Sequence, residues 1–173
     1  MRICYADPPY IGQAKKHYSH DPRCAEVNHE ILIAEMDKFY DAWALSCSSP
    51  SLKQILSYCP DNVRVMPWVK PFCSFKPYVG VAYAWEPVII KGGRKRDREQ
   101  PTIRDWVSAN ITLKKGLSGV KPIGFCCWLF EVLNMRPDDE FIDLYPGSGA
   151  VTAAWEMYQG SLFMASNGGI RIK

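Results

Sequence analysis

Short apolar runs along this chain are broken by proline, glycine and charged residues at intervals that suit a layered α/β domain. Ile3 to Ala6 predicts a buried strand, stopped by Asp7-Pro8-Pro9, because proline lacks the N–H that a ladder or helix needs. A polar loop from Ile11 to Arg23 follows. Val27, Ile31, Ala34 and Phe39 then fall near one face of a predicted helix. Ala42 to Ser48 reads as a second strand. Ser49-Pro50 suits the start of a helix over Leu52 to Tyr58. Val63 to Trp68 and the apolar, β-rich stretch Val79 to Ile90, closed by Gly92-Gly93, predict two more strands. After a basic and polar stretch come a helix over Ile123 to Leu133, a turn at Pro137 to Glu140, and a strand at Phe141 to Leu144. A glycine loop at Pro146 to Gly149 and a helix over Val151 to Tyr158 complete the pattern. Strands alternating with helices predict a mainly parallel sheet covered on both faces.

The chain has 173 residues, enough for one domain with a proper core and not for two, so residues 1–173 are read as a single unit. Within it, residues 91–120 form a basic insert. A formal net charge of +3 suits a polyanionic partner without requiring one. No run approaches the roughly 18 apolar residues of a membrane span, and a chain without a signal peptide is expected. Seven cysteines, an odd number with no CxxC pair, fit reduced thiols, so a cytoplasmic protein is expected. Six tryptophans in so short a chain would serve for stacking bases or adenosyl groups as well as for filling a core.

Two short elements carry candidate chemistry. Asp7-Pro8-Pro9-Tyr10 directly follows a predicted strand, and ligands of parallel sheets bind at the carboxyl ends of strands. A rigid Asp-Pro-Pro turn presents one carboxylate and proline-flanked carbonyls, acceptors matched to an amine with two N–H donors. Holding both acceptors in place turns the amine lone pair toward an electrophile without reorganisation during reaction. Tyr10 offers a flat face to a base held outside its helix. Without further support, an incidental Asp-initiated turn explains these four residues equally well. The second element, Asp143-Leu144-Tyr145-Pro146-Gly147-Ser148-Gly149, lies between a predicted strand and helix. Its glycines allow close backbone approach to a ligand beside free helix N–H groups. It is neither GxGxxG nor a Walker loop.

Together the two elements resemble the DNA amino-methyltransferases, in particular the adenine-specific group with an Asp-Pro-Pro-Tyr motif. The resemblance covers Met1 to about Ile90 and Lys121 to about Tyr158. It is nearest to short methylases of bacterial viruses, on Asp7 to Gly12 and Trp43 to Ser46. It implies a Rossmann-like methyltransferase fold dependent on S-adenosylmethionine (SAM), circularly permuted, since the catalytic motif precedes the cofactor loop. It makes Asp7, Pro8, Pro9 and Tyr10 catalytic. Asp143, Tyr145, Pro146, Gly147 and Gly149 would hold SAM together with Asp7, Tyr145-Pro146 standing where Pro-Phe is more usual. Lys121-Pro122 matches a Lys-Pro that touches the cofactor in that family, and Tyr83 to Ile90 resembles a strand late in its catalytic half. The implied reaction is methyl transfer to the N6 amine of a flipped adenine in DNA, in the cytoplasm, that of a bacterial host if a phage encodes the chain.

The family normally has an acidic residue after the next strand beyond the glycine loop, to hold the ribose. The residues after Tyr158 contain no Asp or Glu. Three readings follow: the ribose is held otherwise, a partner subunit or second copy completes the fold, or this is a truncated copy. RNA adenine remains an alternative acceptor. By family habit, Asp at position 7 disfavours cytosine, which goes with Ser, and glutamine, which goes with Asn. A degenerate module that binds nucleic acid without turnover is the alternative outside enzymes. Lys15, Lys16 and His17 after the catalytic turn, and Arg94, Lys95, Arg96 and Arg98 in the insert, are the candidate phosphate contacts. The insert reads otherwise as a solvated basic loop. His17, His20 and Cys24 lack an evident fourth ligand, so no metal is expected. His29 reads as a packing or capping residue, and Asp37, Asp41 and Asp138-Asp139-Glu140 as solvated acids.

Overall fold

The computed structural model describes residues 1–12, 26–72, 78–112 and 120–166. In chain order they form β1 (Arg2–Ala6), α1 (His29–Phe39), β2 (Ala42–Ser46), a 3-10 turn (Ser49–Ser51), α2 (Leu52–Leu56), β3 (Val63–Val69) and β4 (Trp85–Lys91). These are followed by β5 (Val107–Ser108), α3 (Ile123–Val132), β6 (Glu140–Asp143) and α4 (Ala150–Ser166). The strands make one six-stranded sheet in the order β5-β3-β4-β2-β1-β6. Here β6, β1 and β2 run parallel, as do β3 and β5, while β4 is antiparallel to both of its neighbours. Because β4 is reversed, its first residues lie at the sheet edge where the other strands end.

The two-residue period of strands sorts side chains between two apolar layers. Ile3, Tyr5, Ala42, Ala44, Met66, Trp68, Val88 and Ile90 face α3 and α4, meeting Phe125, Leu129, Phe130 and Trp155. Cys4, Ala6, Trp43, Leu45 and Ile89 face α1 and α2. The central strands β1 and β2 are covered on both sides, so they read in sequence as continuous apolar runs. Among the described cysteines, Cys4, Cys47 and Cys126 are buried, and burial pushes each thiol up to about 12.

Several expectations need correction. The buried face of α1 is His29, Leu32, Ile33 and Met36, whereas Ile31 and Phe39 are exposed. Asn28 caps the helix by accepting from the Ile31 N–H at 3.1 Å, so Val27 lies outside the helix and cannot set its face. His29 behaves as read: it is buried, with Nδ1 3.0 Å from the Val27 carbonyl. The strand expected from Val79 begins only at Trp85, because its partner β3 ends at Val69, paired to Trp85. Two acids read as solvated are structural. Asp37 accepts from Trp43 Nε1 at 3.2 Å and pairs with Lys91. Asp139 is buried and accepts two bonds from Arg94, at 2.8 and 2.9 Å, which hold its carboxyl well below the usual range despite burial. Among the described residues, no helix is long and apolar enough to cross a membrane.

Candidate active site

The alternation that sorts the core also assembles the site. Continuing the α3-facing positions to the carboxyl edge of the sheet gives Tyr5 then Asp7 beyond β1, Ser46 at the end of β2, and Trp68 then Lys70 at the end of β3. The reversed β4 supplies Glu86 two residues before Val88. Each strand therefore delivers a polar or aromatic group to one place where the sheet stops. Lys121, just ahead of α3, points into this group with a side chain only 3% exposed.

Its ammonium spans both oxygens of Asp7 at 2.9 Å each and lies 3.4 Å from Glu86 Oε2. The rings of Trp68 and Phe125 flank it, with centroids 5.2 and 5.9 Å away. Glu86 in turn accepts from the Tyr10 hydroxyl at 3.0 Å and pairs with Lys70. Beneath them the hydroxyls of Tyr5 and Ser46 share a 2.7 Å hydrogen bond. Two carboxylates and two ammonium groups thus balance in a half-closed space, an arrangement that would be costly if any one were unpaired. Burial raises the Asp7 carboxyl above its ordinary value against the pull of Lys121. Burial acts likewise on Glu86, but Lys121 and Lys70 outweigh it and hold that acid low. Burial opposes the Lys121 charge, yet Asp7 and Glu86 keep its pKa raised. Tyr10 is pushed well above its ordinary value by burial and by both acids, so its hydroxyl keeps its proton.

Next to this cluster is the glycine loop. β6 lies beside β1 in parallel with Tyr5 opposite Asp143, so the loop leaves the sheet where Asp7 leaves the neighbouring strand. Asp143 Oδ1 accepts the Tyr145 N–H at 3.3 Å, while its buried Oδ2 makes no hydrogen bond. Burial lifts this carboxyl to about 6, with Asp7 adding repulsion. Gly147 and Gly149 have φ of +46° and +74°. Glycine at 149 is required by its backbone rather than by crowding, since a Cβ there would meet nothing within 4 Å. The first-turn N–H groups of α4 start at this loop. An orphaned carboxylate oxygen beside a left-handed glycine turn and a helix N-terminus fits a polar, amine-bearing cofactor such as SAM.

The remaining sequence candidates divide. Pro8 is buried and Pro9 half-buried behind Asp7, Pro122 caps α3, and Tyr145 is half-buried beside the exposed Pro146. Asp7 itself is not in an open turn, since its side chain is 21% exposed and paired. Arg94 is committed to Asp139 and the Asn134 carbonyl, and Arg96 donates to the carbonyls of Pro101 and Glu131. Both hold the fold, leaving Lys95 and Arg98 exposed in that run. The run follows the far end of β4, about 20 Å from Glu86 at roughly 3.3 Å per residue. Lys15, Lys16 and His17 lie outside the described residues, as do His20 and Cys24. Among the described residues, no group of three His, Cys, Asp or Glu could hold a metal. Sequence reasoning missed Glu86, Lys70, Tyr5 and Ser46. For Glu86 a signal existed: a lone acid two positions ahead of Val88 and four ahead of Ile90, in phase with their buried face.

No protein-family model matches the chain, and no curated protein matches it. Solved structures do match. The M1.HpyAVI–SAM complex is 14% identical with a TM-score of 0.58, over 91% of this chain and 78% of that one. A crystal structure of M1.HpyAVI is 15% identical with a TM-score of 0.57, over 91% of this chain and 76% of that one. At that identity the likeness shows the fold alone, a Rossmann-like α/β fold shared with those two structures.

Proposed function

We propose that this protein is a SAM-dependent methyltransferase that methylates the exocyclic N6 amine of adenine in DNA. One observation carries the reading: neighbouring parallel strands bring the Asp7 acceptor and the Asp143 to Gly149 loop side by side. A solved structure of the same fold is a SAM complex. Asp143, Gly147 and Gly149 would hold the cofactor, which when bound supplies an electrophilic methyl group. Asp7 accepts one N–H of the amine and the Pro8 carbonyl the other, aiming the nitrogen lone pair. Lys121 favours the ionised form of Asp7, and Tyr10, tethered by its hydroxyl to Glu86, offers its ring to the displaced base. The amine proton leaves to Asp7 or to water after transfer. Lys95, Arg98 and the Lys15 to His17 stretch supply phosphate contacts.

The test is to incubate the protein with methyl-labelled SAM and matched DNA and RNA, then identify the labelled nucleoside. Label in N6-methyldeoxyadenosine supports the reading. Label only in RNA moves the acceptor. Binding of SAM and DNA without transfer turns the protein into the non-catalytic alternative.

A further inference from the structure

The ammonium that favours the charged form of Asp7 also occupies it. Lys121 covers both Asp7 oxygens at 2.9 Å, whereas an arriving amine needs one of them. With its side chain 3% exposed, Lys121 cannot turn to water. The other carboxylate beside it is Glu86, at 3.4 Å. An ordinary charge-assisted bond of about 2.8 Å lies only about 0.6 Å away along that direction. Glu86 also anchors the Tyr10 hydroxyl on the oxygen facing Lys121, and Lys70 on the other.

We propose that Glu86 is a positioning residue of the transfer reaction, holding Tyr10 and taking the Lys121 ammonium from Asp7 when an amine binds there. The inference rests on the methyl-transfer reading. Without the Glu86 charge, Lys121 stays fully on Asp7 and competes with the amine. The groups facing Asp7 are Lys121 before α3, Glu86 on β4, Tyr5 on β1, Tyr10 after it and Asp143 on β6, with Lys70 after β3 paired to Glu86. Removing the like charge of Glu86 while tightening Lys121 makes Asp7 easier to ionise.

The experiment compares wild type, Glu86→Gln and Glu86→Asp. Glu86→Gln should lower kcat about tenfold or more with KM for SAM unchanged, and move the acidic limb of the pH profile to lower pH. Glu86→Asp, which keeps the charge but shortens the reach, should lower kcat and leave that limb in place. Loss of the Glu86 charge lowers the limb whether or not Lys121 moves, so the positioning role is read from kcat: a merely structural Glu86 would lower the folded fraction while leaving kcat per folded molecule within twofold of wild type. In parallel, carbon-detected NMR titration of the Asp7 carboxyl in the free protein needs no turnover. A lower midpoint in Glu86→Gln is required by the loss of a like charge beside Asp7, and a wild type that methylates nothing overturns the methyl-transfer reading and this role with it. An unchanged or higher Asp7 midpoint, or kcat within twofold of wild type, overturns the proposal. If Glu86→Gln does not fold, Glu86→Asp with kcat within twofold of wild type overturns it.

Discussion

Replacing Asp143 with Asn should make the protein more stable at pH 8 while weakening its grip on SAM. The folded state holds the Asp143 carboxyl at about 6 against an ordinary 3.8, because burial penalises the charge and Asp7 repels it, against the weaker pull of the Tyr145 N–H and the Thr152 side chain. The folded chain thus binds this proton more tightly than the unfolded chain. The group's favourable contribution is complete below about pH 4 and is lost as pH rises through 6. A gap of about two units at about 1.4 kcal/mol each gives nearly 3 kcal/mol. Partial solvation of the side chain, and the need of the new amide N–H for an acceptor, reduce the expected gain to about 2 kcal/mol. Denaturant unfolding of both proteins at pH 4.5 and pH 8 reads the difference, with calorimetry for SAM on the same samples. The variant should gain little at the lower pH and about 2 kcal/mol at the higher, and should bind SAM more weakly. A variant less stable than wild type at pH 8, or a gain independent of pH, would refute the account of Asp143 as a part-buried, under-compensated charge kept for a ligand.

Asp7→Ala should abolish methyl transfer with SAM affinity retained, and should also cost about 2 kcal/mol in denaturant unfolding, because it strands part of the buried Lys121 charge. Full activity would remove Asp7 from the mechanism. Gly149→Val should weaken SAM binding measured by calorimetry, since φ of +74° is strained for a β-branched residue and relaxing it shifts the loop. Arg94→Ala should destabilise the chain by about 3 kcal/mol through the buried Asp139 left behind. Lys95→Ala with Arg98→Ala should leave unfolding within about 0.5 kcal/mol of wild type. If those two touch phosphates, the log–log salt slope of DNA binding should flatten by roughly 0.9 for each. An unchanged slope assigns the segment to solvent.

What could be read in the sequence follows from local rules. Asp7-Pro8-Pro9 had to end β1, and a glycine pair between an apolar strand and a helix had to form a tight turn, whatever surrounded them. The apolar runs Ile3 to Ala6 and Ala42 to Ser48 announced strands, the first of them as buried. Those facts were enough to place both chemical motifs at strand ends and to expect an α/β fold. The tertiary structure decided the rest, because the physics there is non-local. Only the reversed direction of β4 brings Glu86 to the carboxyl edge, 35 residues short of Lys121 and 79 past Asp7 in the chain. The same charged letters give a solvated acid or a buried anchor depending on what arrives opposite: Asp139 on Arg94, Asp37 on Lys91 and Trp43. Likewise Arg94 and Arg96 look identical to Lys95 and Arg98 in a basic run, and only the carbonyls and carboxylate packed against them make two into struts and leave two in solvent. Charge is written locally in a sequence, but its partner, and therefore its pKa and its work, is chosen by the fold.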